Sequence, residues 1–264
     1  MKLAITTVDA FTDKVFSGNP AAVCLLDQEL SDVQMQAIAM EMNLSETAFV
    51  KKTSGPHSYN LRWFTPTVEI DLCGHATLAS AFWMVKSGWA KPGDMIRFQT
   101  RSGELLVKSN GDWIEMDFPL IPTVAERHPF FEGDFFGAKI HYSAKLKRNW
   151  IFELQDANAI ESCEPDFSVV KKYSEEGIII TAAGKGSFDI YSRFFGPNVG
   201  IDEDPVTGFA HCALMDYWFQ RSGKSKLKAF QASKRGGELH LEKREERVMI
   251  RGKAVKVLAG EIEF

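Results

Sequence analysis

Two short turns hold the residue types that chemistry needs. Cys73-Gly74-His75 and Thr207-Gly208-Phe209 each place a glycine at the start of a segment with helical patterning. The first N–H groups of a helix lack partners within it and lie at the positive end of its dipole, so each turn is suited to an anion. A small carboxylate is the expected guest, with Cys73, Gly74, Thr207, Gly208 and Phe209 as substrate-binding residues. Cys73 is also placed to lend a thiolate, because a helix N-terminus lowers a thiol's pKa. Asn19, before Pro20, and Asp71, at the end of an expected strand, are further candidates for orienting a substrate.

Other chemistries lack their residues. The six histidines are scattered with no HxxxH or HxH pair, and the four cysteines show no CxxC spacing, so no metal is expected. No GxGxxG follows a strand and no P-loop occurs, so no nucleotide cofactor is expected either. The spacing of Cys24, Cys163 and Cys212 fits packed small side chains better than a disulfide framework.

The 264 residues, 45% hydrophobic and 25% charged, fit a soluble globular protein of one large or two moderate domains. A net charge of -4 gives no reason to expect nucleic acid. The most basic stretch, Lys224 to Lys228, lacks interleaved aromatics and reads as a solvated face. Met1 to Ala10 alternates like a strand and has no apolar leader core. The longest apolar run, near Ala76 to Val85, is shorter than the roughly 20 residues a membrane span needs, so no membrane partner and a cytoplasmic location are expected.

The elements that position the two turns are repeated. Arg62-Trp-Phe-Thr-Pro-Thr-Val-Glu-Ile-Asp71 and Arg193-Phe-Phe-Gly-Pro-Asn-Val-Gly-Ile-Asp202 agree at six of ten positions. Gly74-His-Ala76 leading to Ser87-Gly88 then parallels Gly208-Phe-Ala210 leading to Ser222-Gly223, and Phe98-Gln99 parallels Phe230-Gln231. An ancient duplication accounts for all three matches in order. It predicts one domain over 1–118 and a second over 119–264, joined near Phe118-Pro-Leu-Ile-Pro122, with the last strand free to pack on the first domain.

Helices are expected over Ser31 to Met42, where Ser31 can cap, and over Gly74 to Lys86 and Gly208 to Arg221. Alternation predicts strands over most of the remainder. Many strands with one central helix per half define an α+β class, a curved and mainly antiparallel sheet wrapped around a helix in each of two similar domains.

Several motifs together resemble the PhzF-like, or phenazine-biosynthesis-like, branch of the diaminopimelate-epimerase fold. They are Asp9-Ala-Phe-Thr, Gly18-Asn-Pro-Ala-Ala-Val23, Asn43-Leu-Ser-Glu-Thr-Ala-Phe49, Arg62-Trp-Phe-Thr-Pro66, Asp71-Leu-Cys-Gly-His-Ala76, Gly200-Ile-Asp-Glu-Asp-Pro-Val-Thr-Gly208 and Gln231-Ala-Ser-Lys-Arg-Gly-Gly237. The resemblance covers nearly the whole chain. It implies two domains about a pseudo-twofold axis, an acid–base site in the cleft between them, no cofactor, and homodimers as among relatives.

By that resemblance Glu46 is the main proton carrier, with His75 and Asp204 completing the catalytic cluster. The implied activity is a cofactor-independent isomerase or epimerase that moves a proton on a small carboxylic or amino acid. A carboxylate in that role needs a raised pKa, and Leu44, Ala48 and Phe49 supply apolar neighbours in sequence. Two alternatives stand beside it. Epimerases of this fold use one thiol from each half, and Cys73 occupies the first such position while Asp204-Pro-Val-Thr207 fills the second, so a racemase would have one thiol only. Phe209 replaces the family's usual serine, which favours a catalytically idle interaction protein of the same fold.

Overall fold

Alternating stretches become strands and glycine-opened apolar stretches become helices in the computed structural model, which describes residues 1–264. The chain forms two units, Met1–Phe118 with Ile250–Phe264, and Pro119–Met249.

In the first unit Lys2–Ala10 lies between Asn19–Leu26 and Ala254–Glu263, antiparallel to both. Asn19–Leu26 pairs in parallel with Glu46–Lys52, and a parallel pair needs a long crossover. Helix Asp32–Met42 supplies it. Ser31 accepts from the Gln34 N–H while the Gln34 side chain accepts from the Ser31 N–H, a reciprocal capping box, and Asn43 ends the helix in the left-handed region. Its Met35, Ile38 and Ala39 pack with Leu3, Ile5, Phe49 and Phe64. Ser58–Phe64 then pairs antiparallel with Glu46–Lys52 and parallel with Met95–Thr100, which pairs antiparallel with Gly103–Asn110.

The second crossover of this unit is helix Gly74–Lys86, with His75 through Ala81 and Met84 all buried. A helix covered all round is a core element, and its small residues let strands approach from several sides. Replacing the fully buried Leu78 by alanine should cost about 2–5 kcal/mol.

The second unit repeats this order of pairings. Ala138–Leu146 is antiparallel to Asn149–Leu154, which is parallel to Gly177–Ala183. Next come Ile190–Gly196, antiparallel, then Lys226–Gln231, parallel to it across helix Gly208–Ser222, then Gly237–Arg244, antiparallel. The repeat seen in the residues is therefore a repeat of topology. Its anchor recurs as well. Arg62 clamps Glu69 through two bonds of 2.7 Å, and Arg193 clamps Glu203 at 2.7 and 3.0 Å. Each guanidinium also stands over the phenylalanine two residues on, Phe64 at 5.2 Å and Phe195 at 4.9 Å.

Some elements differ from the sequence expectation. The crossover after Asn149–Leu154 carries two helices, Ala157–Ser162 and Phe167–Tyr173, capped by Asp156 and Asp166, too short to show a period. Strand Ala138–Leu146 is exposed along much of its length and so lacks clear alternation. The last strand, Ala254–Glu263, which the sequence left free to pack on the first domain, pairs along Lys2–Ala10. All four cysteines are free and buried. No helix is long and apolar enough to cross a membrane.

Candidate active site

In the first unit, pairing register brings four polar residues to one end of the Gly74–Lys86 helix. Gly18 begins the arrangement. Its φ of +65° and the 2.1 Å that would separate a Cβ from the Ala10 carbonyl oxygen admit only glycine there. The chain thereby enters strand Asn19–Leu26 with the Asn19 side chain inward. Parallel pairing sets Ala21 opposite Glu46, so Glu46 opens its own strand close to Asn19. Cys73, extended at φ -143°, is the N-cap of the helix, and no side chain caps the N-terminus.

All four side chains are buried: Asn19 is 0% exposed, Glu46 7%, Cys73 6% and His75 5%. His75 is the hub. Its Nε2 lies 2.9 Å from Glu46 Oε2, its Nδ1 3.2 Å from Asn19 Nδ2, and its Nδ1 3.5 Å from Cys73 Sγ. The Glu46 contact has the distance of an ion pair, and beyond it this buried carboxylate oxygen has no hydrogen-bond partner. Such an oxygen attracts any proton or cation that reaches it.

Burial works against the His75 imidazolium, yet Cys73 and Glu46 outweigh it and hold His75 well above the ordinary imidazole range. Burial pushes the Cys73 thiol up to about 11, Glu46 adding to the rise while His75 opposes it. At neutral pH Cys73 is therefore a thiol. In a charged ring both nitrogens donate. The Asn19 amide meets Nδ1 at 3.2 Å.

The second unit's helix start is built differently. Thr207, extended at φ -112°, is the N-cap of Gly208–Ser222. Its hydroxyl donates to Asp204 Oδ2 at 2.5 Å, and its N–H donates to Gln231 Oε1 at 2.9 Å. Gln231 Nε2 donates in turn to the Asp204 carbonyl at 2.7 Å and lies 3.1 Å from the Thr207 hydroxyl. His211, one turn into the helix, donates from Nδ1 to the Thr207 carbonyl at 2.8 Å, which leaves Nε2 to accept from Ser192 at 3.4 Å. Burial, opposed by the Thr207 bond, lowers the His211 pKa to about 4, so the ring is neutral.

The structure thus gathers Asn19, Glu46, Cys73, Gly74 and His75 at one helix start, and Asp204, Thr207, Gly208 and Phe209 at the other. Phe209 is half-buried. Asp71 stands apart, its side chain 72% exposed and 4.0 Å from Arg101. Gln231 and His211 are structural members of the second start that residue types alone did not single out. Gln231 lay in a quoted motif, and His211 lies one turn from Thr207. Glu46, Cys73 and His75 also each offer a donor atom of metal-ligand type, all within 4.8 Å of one another. Residue spacing hid this set, because strand pairing supplies Glu46.

Sheets of this order wrapped on one long helix define an α+β epimerase-like fold. A hydroxyproline epimerase from Agrobacterium vitis, solved with bound trans-4-hydroxy-L-proline, superposes with a TM-score of 0.64 over 99% of this chain and 92% of its own. Identity there is 7%, so the likeness is one of fold alone. The chain belongs to the phenazine biosynthesis-like family, whose model matches residues 8–260. An uncharacterized isomerase of Pseudomonas aeruginosa is 47% identical over 265 residues, covering 100% of both chains. A PhzF-family phenazine biosynthesis protein from Enterococcus faecalis is 42% identical, with a TM-score of 0.94 over 100% of both.

Proposed function

We propose that this chain is a cofactor-independent isomerase or epimerase in which Glu46 carries a proton between two positions of a small carboxylic or amino acid. The observation that carries the proposal is the buried Glu46 oxygen without a hydrogen bond, beside a histidine and at a helix N-terminus. The isomerase description of the Pseudomonas relative supports the reaction class.

In the proposed reaction the Glu46 carboxylate removes a proton from a carbon next to the substrate's carboxylate. Electron density moves onto the carboxylate oxygens, where the N–H groups at Gly74 and His75 and the imidazolium stabilise it. The neutral Glu46 carboxyl then returns the proton to another carbon or to the other face, so the enzyme ends as it began. His75 holds the carboxylate in place and does not itself leave the ring charge behind. Asp204 and the N–H groups of Gly208 and Phe209 are proposed to take part in substrate binding at the second helix start. Backbone donors at Phe209 need no serine hydroxyl to bind an anion.

A thiol-assisted racemase is the weaker reading, because Cys73 stays protonated at neutral pH and the second start offers Thr207 where a partner thiol would stand. The test is to incubate the protein in heavy water with a panel of small amino and hydroxy acids, follow loss of the carbon-bound proton signal by NMR, and soak any responder into crystals. The proposal expects at least one responder, seated at Gly74 and Glu46. A ligand bound there whose carbon-bound protons never exchange would favour the idle interaction protein.

A further inference from the structure

We propose that the indole N–H of Trp63 is a substrate-orienting donor at the Glu46 site, and that the acid bound there carries an oxygen acceptor on the carbon next to its carboxylate. This deepens the proton-transfer reading and rests on it for the reaction, though not for the binding measured below.

Trp63 holds a buried donor without a partner. The residue is 1% exposed, and its Nε1–H makes no hydrogen bond in the protein. An indole nitrogen can only donate, and a donor left unpaired in the interior costs about 1–3 kcal/mol. A purely apolar aromatic ring would fill the core without that cost, so packing alone gives no reason for the nitrogen.

Strand register places the indole. Trp63 stands directly opposite Ala48, and residues opposite one another in an antiparallel pair share a face of the sheet. Glu46, the next residue but one on the Ala48 strand, shares that face as well. Trp63 and Glu46 are thus diagonal neighbours, roughly 7–8 Å apart and within reach of aromatic and long side chains. On its other side Trp63 pairs with Ile70, shortly before Cys73, the N-cap of the Gly74–Lys86 helix. The opposite face of these strands has a different task, since Phe49 and Phe64 pack with helix Asp32–Met42.

One face therefore carries a donor with no acceptor, Trp63 Nε1, and an acceptor with no hydrogen bond, Glu46 Oε2, beside a helix start. A bound acid answers the donor. With its carboxylate at the Gly74 and His75 N–H groups, an oxygen on the neighbouring carbon accepts from Trp63. An ammonium in that position has no lone pair to offer. The indole therefore selects 2-hydroxy or 2-oxo acids over amino acids of the same skeleton, because the wrong group leaves a buried donor unpaired.

The test uses the whole chain with ¹⁵N in its indole rings, whose six tryptophans give six N–H signals, and Trp63→Phe to identify the one from Trp63. Lactate is titrated against alanine and malate against aspartate, both hands of each. At least one hydroxy acid should move the Trp63 signal downfield and bind about 10–100-fold more tightly than its amino acid. Trp63→Phe should lose that preference by weakening the hydroxy acid alone, whereas a merely structural role would weaken both. Where the variant fails to fold, Overhauser contacts to Ala48 and Ile70 identify the wild-type signal and the wild-type titration decides. A Trp63 signal that no hydroxy acid moves, equal affinity within each pair, or equal losses for both acids in folded Trp63→Phe would overturn the proposal. Loss of the carbon-bound proton in heavy water is followed in the same samples. The Trp63 shift without exchange would remove the proton-transfer reading and leave the donor standing, and exchange beside an unmoved Trp63 signal would do the reverse.

Discussion

The two helix starts descend from one motif and have been finished in opposite ways. At Thr207 the cap hydroxyl, its N–H and its carbonyl each have a partner within the unit, supplied by Asp204, Gln231 and His211. Neither start has a side-chain cap, but at Cys73 Glu46 keeps a buried oxygen without a hydrogen bond. A satisfied network is rigid and inert, whereas an unsatisfied one stores the capacity to take up a proton or an ion. Duplication accounts for two equivalent scaffolds, and on the proposed function the difference between them divides holding from reacting.

The histidines show the same division. Both are buried, at the second helical residue in one start and the fourth in the other. His75 faces a carboxylate and is held charged, while His211 faces a carbonyl and a hydroxyl and is held neutral. Their contributions to stability therefore run in opposite directions with pH.

The largest expected effect breaks the reactive start. Glu46→Gln keeps shape and reach but removes the titratable group, and turnover in steady-state assay should fall about 10²–10⁴-fold with folding intact. Next comes the holding start. Gln231→Leu removes the acceptor of the buried Thr207 N–H, which should cost about 1–3 kcal/mol in denaturant unfolding. An unchanged midpoint would mean that the second network does not stiffen that start.

The pH comparison is of similar size. The folded His211 pKa of about 4 lies below the ordinary 6.5, so the unfolded chain binds the extra proton between those values. Stability should fall as pH drops from 6.5 toward 4, by about 3 kcal/mol from this group, and that slope should vanish in His211→Asn. His75 has the opposite sign. Its raised pKa contributes stability fully below pH 6.5, and that contribution is lost as pH rises through the folded value. The difference between wild type and His75→Gln should therefore shrink on the alkaline side. Equal slopes in both variants would erase the contrast between the two rings.

How much of this was legible in the residues follows from what each element depends on. The duplication was visible because Arg62 and Arg193 sit in matching decapeptides and recur as matching clamps. The Ser31 cap and the glycine-opened helices were readable from local chemistry. Helices Ala157–Ser162 and Phe167–Tyr173 were not, being too short for a period to emerge. The convergence of Glu46 with Cys73 and His75 needs the parallel register of two strands, which no local pattern encodes. His211 and Gln231 do not stand out for a related reason: a satisfied hydrogen-bond network is a property of geometry, with His211 on a mostly apolar helix and Gln231 at the end of a strand.

The smallest effect sharpens the comparison within the reactive start. Cys73→Ser should leave most of the turnover, because the thiol is protonated at neutral pH and the proposed proton carrier is Glu46. A loss as large as that of Glu46→Gln would move the chemistry to the thiol.

The central claim is that Glu46 moves a proton to and from carbon. It is tested most directly by the rate at which solvent deuterium enters a turned-over substrate in heavy water, followed by mass spectrometry for wild type and Glu46→Gln side by side. Wild type should place deuterium on the receiving carbon, since the neutral carboxyl exchanges with solvent, and the folded variant should slow that exchange by about 10²–10⁴-fold. Exchange at the wild-type rate in folded Glu46→Gln would contradict the account.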